Sequence, residues 1–122
     1  MTNICSGRLT ESWDFYTKLF DLKVEYESDW FVHLASEDKK LELGIIDRSN
    51  AIVPKEFQHN PQGFYVTFVV NSADEVYLFA KSENFNIIQK PADTAYGQRR
   101  LLLTDPNWTL VDISSLIKDF KF

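Results

Sequence analysis

Leu41-Glu42-Leu43-Gly44, at the end of the first half of the chain, is matched by Val111-Asp112-Ile113-Ser114 at the end of the second. Each is a short apolar strand with a single acid at its centre. Reading backwards from each acid, the same order of signals returns: a short strand (2–5; 64–70), a helix (from Thr10; from Ser72), then two or three strands. The pattern predicts a βαβββ unit used twice, over about residues 1–47 and 64–115. Two such half-sheets related by a pseudo-two-fold axis face each other across a cleft, so the cleft is where functional side chains are expected.

Composition narrows the classes. A chain of 122 residues holds one domain's worth of core. Its hydrophobic fraction of 44% and aromatic fraction of 15% exceed what a disordered or fibrous chain carries. The net charge of −5 argues against nucleic acid as a partner, because phosphate binding needs a cationic face and Arg99-Arg100 is too small a basic cluster to make one. With Cys5 as the single cysteine, no intramolecular disulfide forms. The opening MTNICSGRL lacks a signal-peptide core, and no stretch reaches the roughly 20 apolar residues of a membrane span. The expectation is a soluble, cytoplasmic protein with no membrane partner.

Punctuation sets the elements. Thr10 is expected to cap the first helix, with Trp13, Tyr16, Leu19 and Phe20 on its core face. Ser72-Ala73-Asp74-Glu75 is a capping box, and Val76, Phe79 and Ala80 follow on one face of the second helix. Strands are expected at 23–28, 30–35, 41–47, 64–70, 86–90, 99–103 and 110–114. Ser36 to Lys40 reads as a hairpin turn, Asp105-Pro106-Asn107 as a turn, and Arg48 to Gly63 as the linker between halves.

Two motifs carry a resemblance. Ser12-Trp13-Asp14-Phe15-Tyr16 followed by Leu19-Phe20-Asp21-Leu22 is similar to S-x-x-FY-x-x-x-LGF, and Tyr96-Gly97-Gln98-Arg99 leading into Asp105-Pro106-Asn107 is similar to YGxR and DPxG. In this order, on a duplicated background, they resemble the vicinal-oxygen-chelate superfamily, also called the glyoxalase/bleomycin-resistance/dioxygenase superfamily. The resemblance implies an α+β fold of tandem βαβββ modules, with curved mixed sheets around a cleft and helices on the convex side. It also implies a homodimer, as in many short relatives. Metal-using members hold the ion from the first and fourth strands of each half. By that resemblance Glu42 and Asp112 fill the fourth-strand positions, while Met1 and Tyr65 fall on the first-strand ones, where relatives carry His or Gln.

Two carboxylates without imidazole or thiolate are a poor transition-metal set. The expectation is therefore no cofactor and metal-independent binding of a small, cationic aromatic molecule. Trp30, Phe31, Tyr65 and Tyr96 would form its walls, with Glu42 and Asp112 as acidic anchors. His33, alternating with Val32 and Leu34, and Arg99 or Arg100 are further candidates for the cleft. A salt bridge to one of the acids is the alternative for the inward arginine. The competing class is a metal-dependent lyase, isomerase or dioxygenase with Glu42 and Asp112 as ligands. Trp108 stands where relatives have Gly, which suggests a changed turn there, and Cys5 reads as a small buried filler.

Overall fold

The computed structural model describes residues 1–118. The chain forms two compact units, one of Met1–Gln62 with Pro106–Trp108, the other of residues from Gly63 to Asp105 and from Thr109 onward. Each contains one helix and one four-stranded mixed sheet.

In the first unit, β1 (Thr2–Ser6) leads into α1 (Leu9–Phe20), then β2 (Lys23–Glu27), β3 (Phe31–Ala35) and β4 (Glu42–Asp47). The sheet order is β1-β4-β3-β2, with β1 parallel to β4 and the remaining pairs antiparallel. Strand alternation sorts this sheet into two faces. Ile4, Val32, Leu34, Leu43 and Ile45 are fully or almost fully buried and share the face on which Phe15, Tyr16 and Leu19 of α1 pack. Each such side chain contributes about 1.5–3 kcal/mol on burial. Asn3, Cys5, Phe31, His33, Glu42, Gly44 and Ile46 have the other parity and lie on the helix-free face.

The second unit repeats the plan with β5 (Tyr65–Val69), α2 (Ala73–Ser82), β6 (Asn86–Asp93), β7 (Gln98–Thr104) and β8 (Leu110–Leu116), in the order β5-β8-β7-β6. Its core is Phe68, Ala73, Ala80, Leu101, Leu103, Val111 and Ile113. The Ser72 hydroxyl accepts the Glu75 N–H at 3.2 Å and caps α2, as the capping box requires. β6 runs three residues past the expected limit at Lys90, through Pro91 to Asp93. It is an edge strand with two register shifts, and there a residue without an N–H costs no ladder bond.

α1 departs from its expected start. Arg8, not Thr10, is the N-cap, and it has no side-chain capping bond. Instead the Arg8 N–H donates to Ser6 Oγ at 2.8 Å, and Ser6 donates to Asn107 Oδ1 at 2.6 Å, while Asn107 Nδ2 donates to Ser12 Oγ at 3.0 Å. This buried network fixes the helix entry, so a cap on Thr10 is not needed. The core face of α1 is Ser12, Phe15, Tyr16 and Leu19, with Trp13 turned partly to solvent. Asp21 ends the helix at φ +51, in the place where the resembled motif has Gly, because a short polar side chain tolerates the left-handed region. Among the described residues no helix is long and apolar enough to cross a membrane.

Trp108 corrects the expectation of a changed turn. The turn keeps its left-handed geometry, and Trp108 adopts φ +67 with the residue 69% exposed. Two bonds close the turn around it, Asp105 N–H to Thr109 O at 3.0 Å and Thr109 N–H to Asp105 Oδ1 at 2.8 Å. A left-handed L-residue costs roughly 1–2 kcal/mol, and the flexibility of Gly offsets about 0.5–1 kcal/mol of that gain. Trp108→Gly is therefore expected to stabilise the fold by about 0.5–1 kcal/mol, measured by chemical denaturation. Trp108→Ala, which keeps the Cβ, should not; a glycine variant no more stable than the alanine variant would contradict this.

Candidate functional site

On the helix-free face of the first sheet lies a cavity of about 470 Å³. Its floor is built by β1, β3 and β4 through Asn3, Cys5, Phe31 and Ile46, with Met1 and Trp30 at its margins. Trp30, Phe31 and Tyr26 form a run of rings, with centroids 5.9 Å apart for Trp30–Phe31 and 6.3 Å for Tyr26–Phe31. Gly44 is part of this construction: a Cβ there would collide with Asn3 Oδ1 and come within 3.1 Å of the Phe31 ring. Glycine thus lets the Asn3 amide lie across β4 beside the aromatic wall. Cys5 is partly exposed and lines the cavity, which corrects its reading as a buried filler.

The remaining wall comes from the segment after β4, through Ile52, Val53 and Pro54. Local hydrogen bonds shape it. Asp47 Oδ1 accepts from the Ser49 N–H at 2.9 Å and the Ser49 hydroxyl at 2.7 Å, and Asn50 Oδ1 accepts from the Ile52 N–H at 2.9 Å. Gln58 Nε2 then donates to Val53 O at 2.9 Å and Asn50 O at 3.3 Å, strapping the wall to the 3-10 turn at Lys55–Phe57. The Ser49 hydroxyl, then the Ser49 N–H, hold the Asp47 carboxyl below its ordinary pKa. A depressed native pKa means that this support is complete above the unfolded carboxylate range and is lost as pH falls through the lowered value.

Farther along the same face, His33 Nε2 stands 3.1 Å from Glu42 Oε1. His33 is paired with Gly44 and Glu42 with Ala35, so the two are diagonal neighbours on adjacent strands. A carboxylate accepts, so Nε2 carries the hydrogen. With the Glu42 side chain 42% exposed, the pair is worth at most about 1 kcal/mol. It therefore follows the placement of the strands and does not determine it.

The second sheet puts different chemistry on its helix-free face. Asp112 is only 5% exposed and accepts from Thr67 Oγ1 at 3.0 Å and Ser114 Oγ at 2.9 Å. Arg100 Nε lies 3.3 Å from Asp112 Oδ1, and the Arg100 guanidinium sits 5.8 Å from the Tyr65 ring centroid. Asp112 is therefore a buried, paired carboxylate, not an open acidic anchor. Arg99 has the opposite parity: its Nη1 donates to Asp93 at 2.9 Å and its Nε to Asp74 at 3.0 Å, and these bonds, first that to Asp93 and then that to Asp74, raise its pKa. Arg100, not Arg99, is the arginine beside Asp112. Tyr96 is half-exposed in the turn before β7, beside Gly97 at φ +88.

The family resemblance raises the question of a metal. Within the first unit Glu42 and His33 supply two donors, and Met1 adds at most a thioether. In the second, Asp112 already accepts two hydroxyl hydrogens and neighbours a guanidinium, which repels a cation. Among the described residues no three His, Cys, Asp or Glu side chains gather. This donor set does not fit a tightly held transition metal.

Sequence reasoning missed Ile46 and the Ile52-Val53-Pro54 wall. An apolar triplet inside an otherwise polar linker was the available signal for the wall.

Residues 1–113 match the family profile described as Glyoxalase/Bleomycin resistance protein/Dioxygenase superfamily. Among solved structures, the chain is similar to a glyoxalase/bleomycin resistance protein/dioxygenase family enzyme from Burkholderia phytofirmans PsJN, at 19% identity and TM-score 0.80, covering 94% of this chain and 95% of that one. A superfamily member from Sphaerobacter thermophilus DSM 20745 follows the same fold at 13% identity and TM-score 0.78, covering 93% and 94%. A lactoylglutathione lyase from Agrobacterium tumefaciens does so at 16% identity and TM-score 0.71, covering 94% and 91%. Likeness at these identities concerns the fold. Comparison with curated protein sequences gives no significant match.

Gln58→Ala should loosen the cavity wall alone. Removing two bonds to backbone carbonyls should cost about 1 kcal/mol locally, seen as roughly fivefold faster amide exchange at Val53 by NMR, with Val32 and Ile45 unchanged. Equal acceleration throughout the sheet would mean that Gln58 supports the fold and not the wall.

Proposed function

Because this chain belongs to the glyoxalase/bleomycin resistance protein/dioxygenase superfamily, whose members put varied chemistry on one scaffold, we propose that it binds a small, flat, mostly apolar molecule on the helix-free face of its first sheet without a resident metal. The observation that carries this reading is the cavity beside Phe31. Its volume of about 470 Å³ falls in the range of small-molecule sites, about 300–1,000 Å³, and its lining is apolar with few polar groups. Asn3 supplies the orienting amide, and Trp30 and Phe31 supply stacking surface.

Glu42 supplies the charge preference. It lies on the same face, half-exposed, with His33 as its hydrogen-bond partner. Four residues of strand separate it from Ile46, roughly 13 Å at about 3.3 Å per residue. A ligand with a flat body in the cavity and a cationic end reaching along β4 gains both contacts. Nothing in this arrangement requires bond making, so the reading is of a binding protein.

Calorimetric titration with two probes of one shape tests it, 6-(1-naphthyl)hexylammonium, whose chain is long enough to run from the cavity along β4 toward Glu42, and the corresponding neutral alcohol. Both should bind, the cation more tightly, and a chelator should change neither. Phe31→Ala should weaken both about tenfold or more, the equivalent of one aromatic contact worth about 1.5 kcal/mol or above. Glu42→Gln should remove only the advantage of the cation. Loss of binding on chelation, or indifference to Phe31→Ala, would contradict the proposal.

A further inference from the structure

We propose that His59 is a proton-operated clasp on the wall of the first unit's cavity: as an imidazolium it fastens the turn over residues 55–60, which carries the Gln58 strap, and on losing a proton it lets that turn loosen. Resting on the binding reading above, this makes the affinity of the cavity depend on pH. Both ring nitrogens of His59 face backbone carbonyl oxygens, Nδ1 at 3.2 Å from Asn60 O and Nε2 at 3.1 Å from Glu56 O. A carbonyl oxygen only accepts, and a neutral imidazole carries a hydrogen on one of its two nitrogens. Either neutral tautomer therefore sets a lone pair against an oxygen, whereas the imidazolium donates to both.

The ring closes a chain of contacts that ends at the cavity. The His59 N–H donates to Phe57 O at 2.9 Å, and the Gln58 N–H to Lys55 O at 3.2 Å. Asn60 Oδ1 accepts from Arg48 Nη1 at 3.0 Å, and the Arg48 N–H is bound to Ser6 O at 3.0 Å, at the end of β1. His59 thus ties the 3-10 turn to a residue moored on the sheet. Gln58, its chain neighbour, holds the Val53 and Asn50 carbonyls of the wall. The charged side chains on the joined elements are Lys55 and Glu56 of the turn and Asp47 and Arg48 at the end of β4; among the described residues none is ion-paired with the ring. Asp47 responds in the opposite sense. Its carboxyl is held below the ordinary range by Ser49, so its support is lost as pH falls, in acid. The clasp is complete at low pH and loses a bond as pH rises through the imidazole range, about 5 to 8. Because His59 is exposed, each bond competes with water, and the effect is several-fold.

Amide-exchange protection factors of the whole chain without ligand, at about pH 5.5 and pH 8, test the clasp directly, since they are already corrected for the intrinsic pH dependence of exchange. Protection at Val53 and Gln58 should be roughly threefold to fivefold higher at the lower pH, with Val32 and Ile45 unchanged. His59→Ala should hold Val53 at its pH 8 level throughout, while His33→Gln, which removes the other histidine, should keep the wild-type response. The neutral naphthyl alcohol, whose own charge is constant, should bind about threefold more tightly at the lower pH in the wild type and equally at both in His59→Ala. Protection at Val53 that ignores pH, a response that survives His59→Ala, or a response shared by Val32 and Ile45 would overturn the proposal, and so would alcohol binding that is the same at both pH values in the wild type. Failure of the alcohol to bind at all would instead remove the cavity reading, because the clasp is judged from exchange in the free protein.

Discussion

Strand parity under α1 is the constraint on which the first unit depends. Five side chains, Ile4, Val32, Leu34, Leu43 and Ile45, are withdrawn from water on one face of its sheet. At about 1.5–3 kcal/mol each, they outweigh an exposed pair such as His33–Glu42, worth at most about 1 kcal/mol. A one-residue slip of register would exchange the faces and bury the polar side chains of His33 and Glu42 beneath the helix. The apolar set therefore decides where every functional candidate points. Residues on the opposite face are left free to vary in chemistry without disturbing the packing that holds the fold.

The two units use that freedom differently. They share strand order, the parallel pairing of the first strand with the fourth, and one packed helix. On its helix-free face the first unit has a glycine that admits an amide, a run of aromatic rings and a cavity. The second has a buried carboxylate bound by two hydroxyls, with a guanidinium beside it. Duplication repeated the scaffold and not the site. Family membership accordingly defines the architecture, while the chemistry must be taken from the side chains on each face.

Most elements were legible because their boundaries have local causes. The Ser72 capping box, the polar turn at Ser36 to Lys40 and the Asp105-Pro106 turn each sit where their own chemistry places them. What the sequence hid was non-local. The α1 cap was misplaced because Asn107, far away in sequence, completes the network with Ser6 and Ser12. The choice between Arg99 and Arg100 was blurred by Leu101-Leu102-Leu103, all buried, where apolar residues on both faces erase the alternation that would have assigned parity. Trp108 could not be placed because nothing local signals that a turn will hold a bulky residue at positive φ. The Ile52-Val53-Pro54 wall depends on the Gln58 strap, which becomes visible only when the segment folds back.

The central claim is that small-molecule recognition belongs to the helix-free face of the first sheet. An amide chemical-shift map of a neutral naphthalene probe tests it most directly, since it reports where the probe sits whatever its affinity. The account predicts saturable shifts at Asn3, Cys5, Phe31, Ile46 and Val53, with α1 unperturbed. Shifts centred instead on the smaller depression of about 180 Å³ beside Thr10, Trp13 and Asp14 would place binding on the helix side and contradict it.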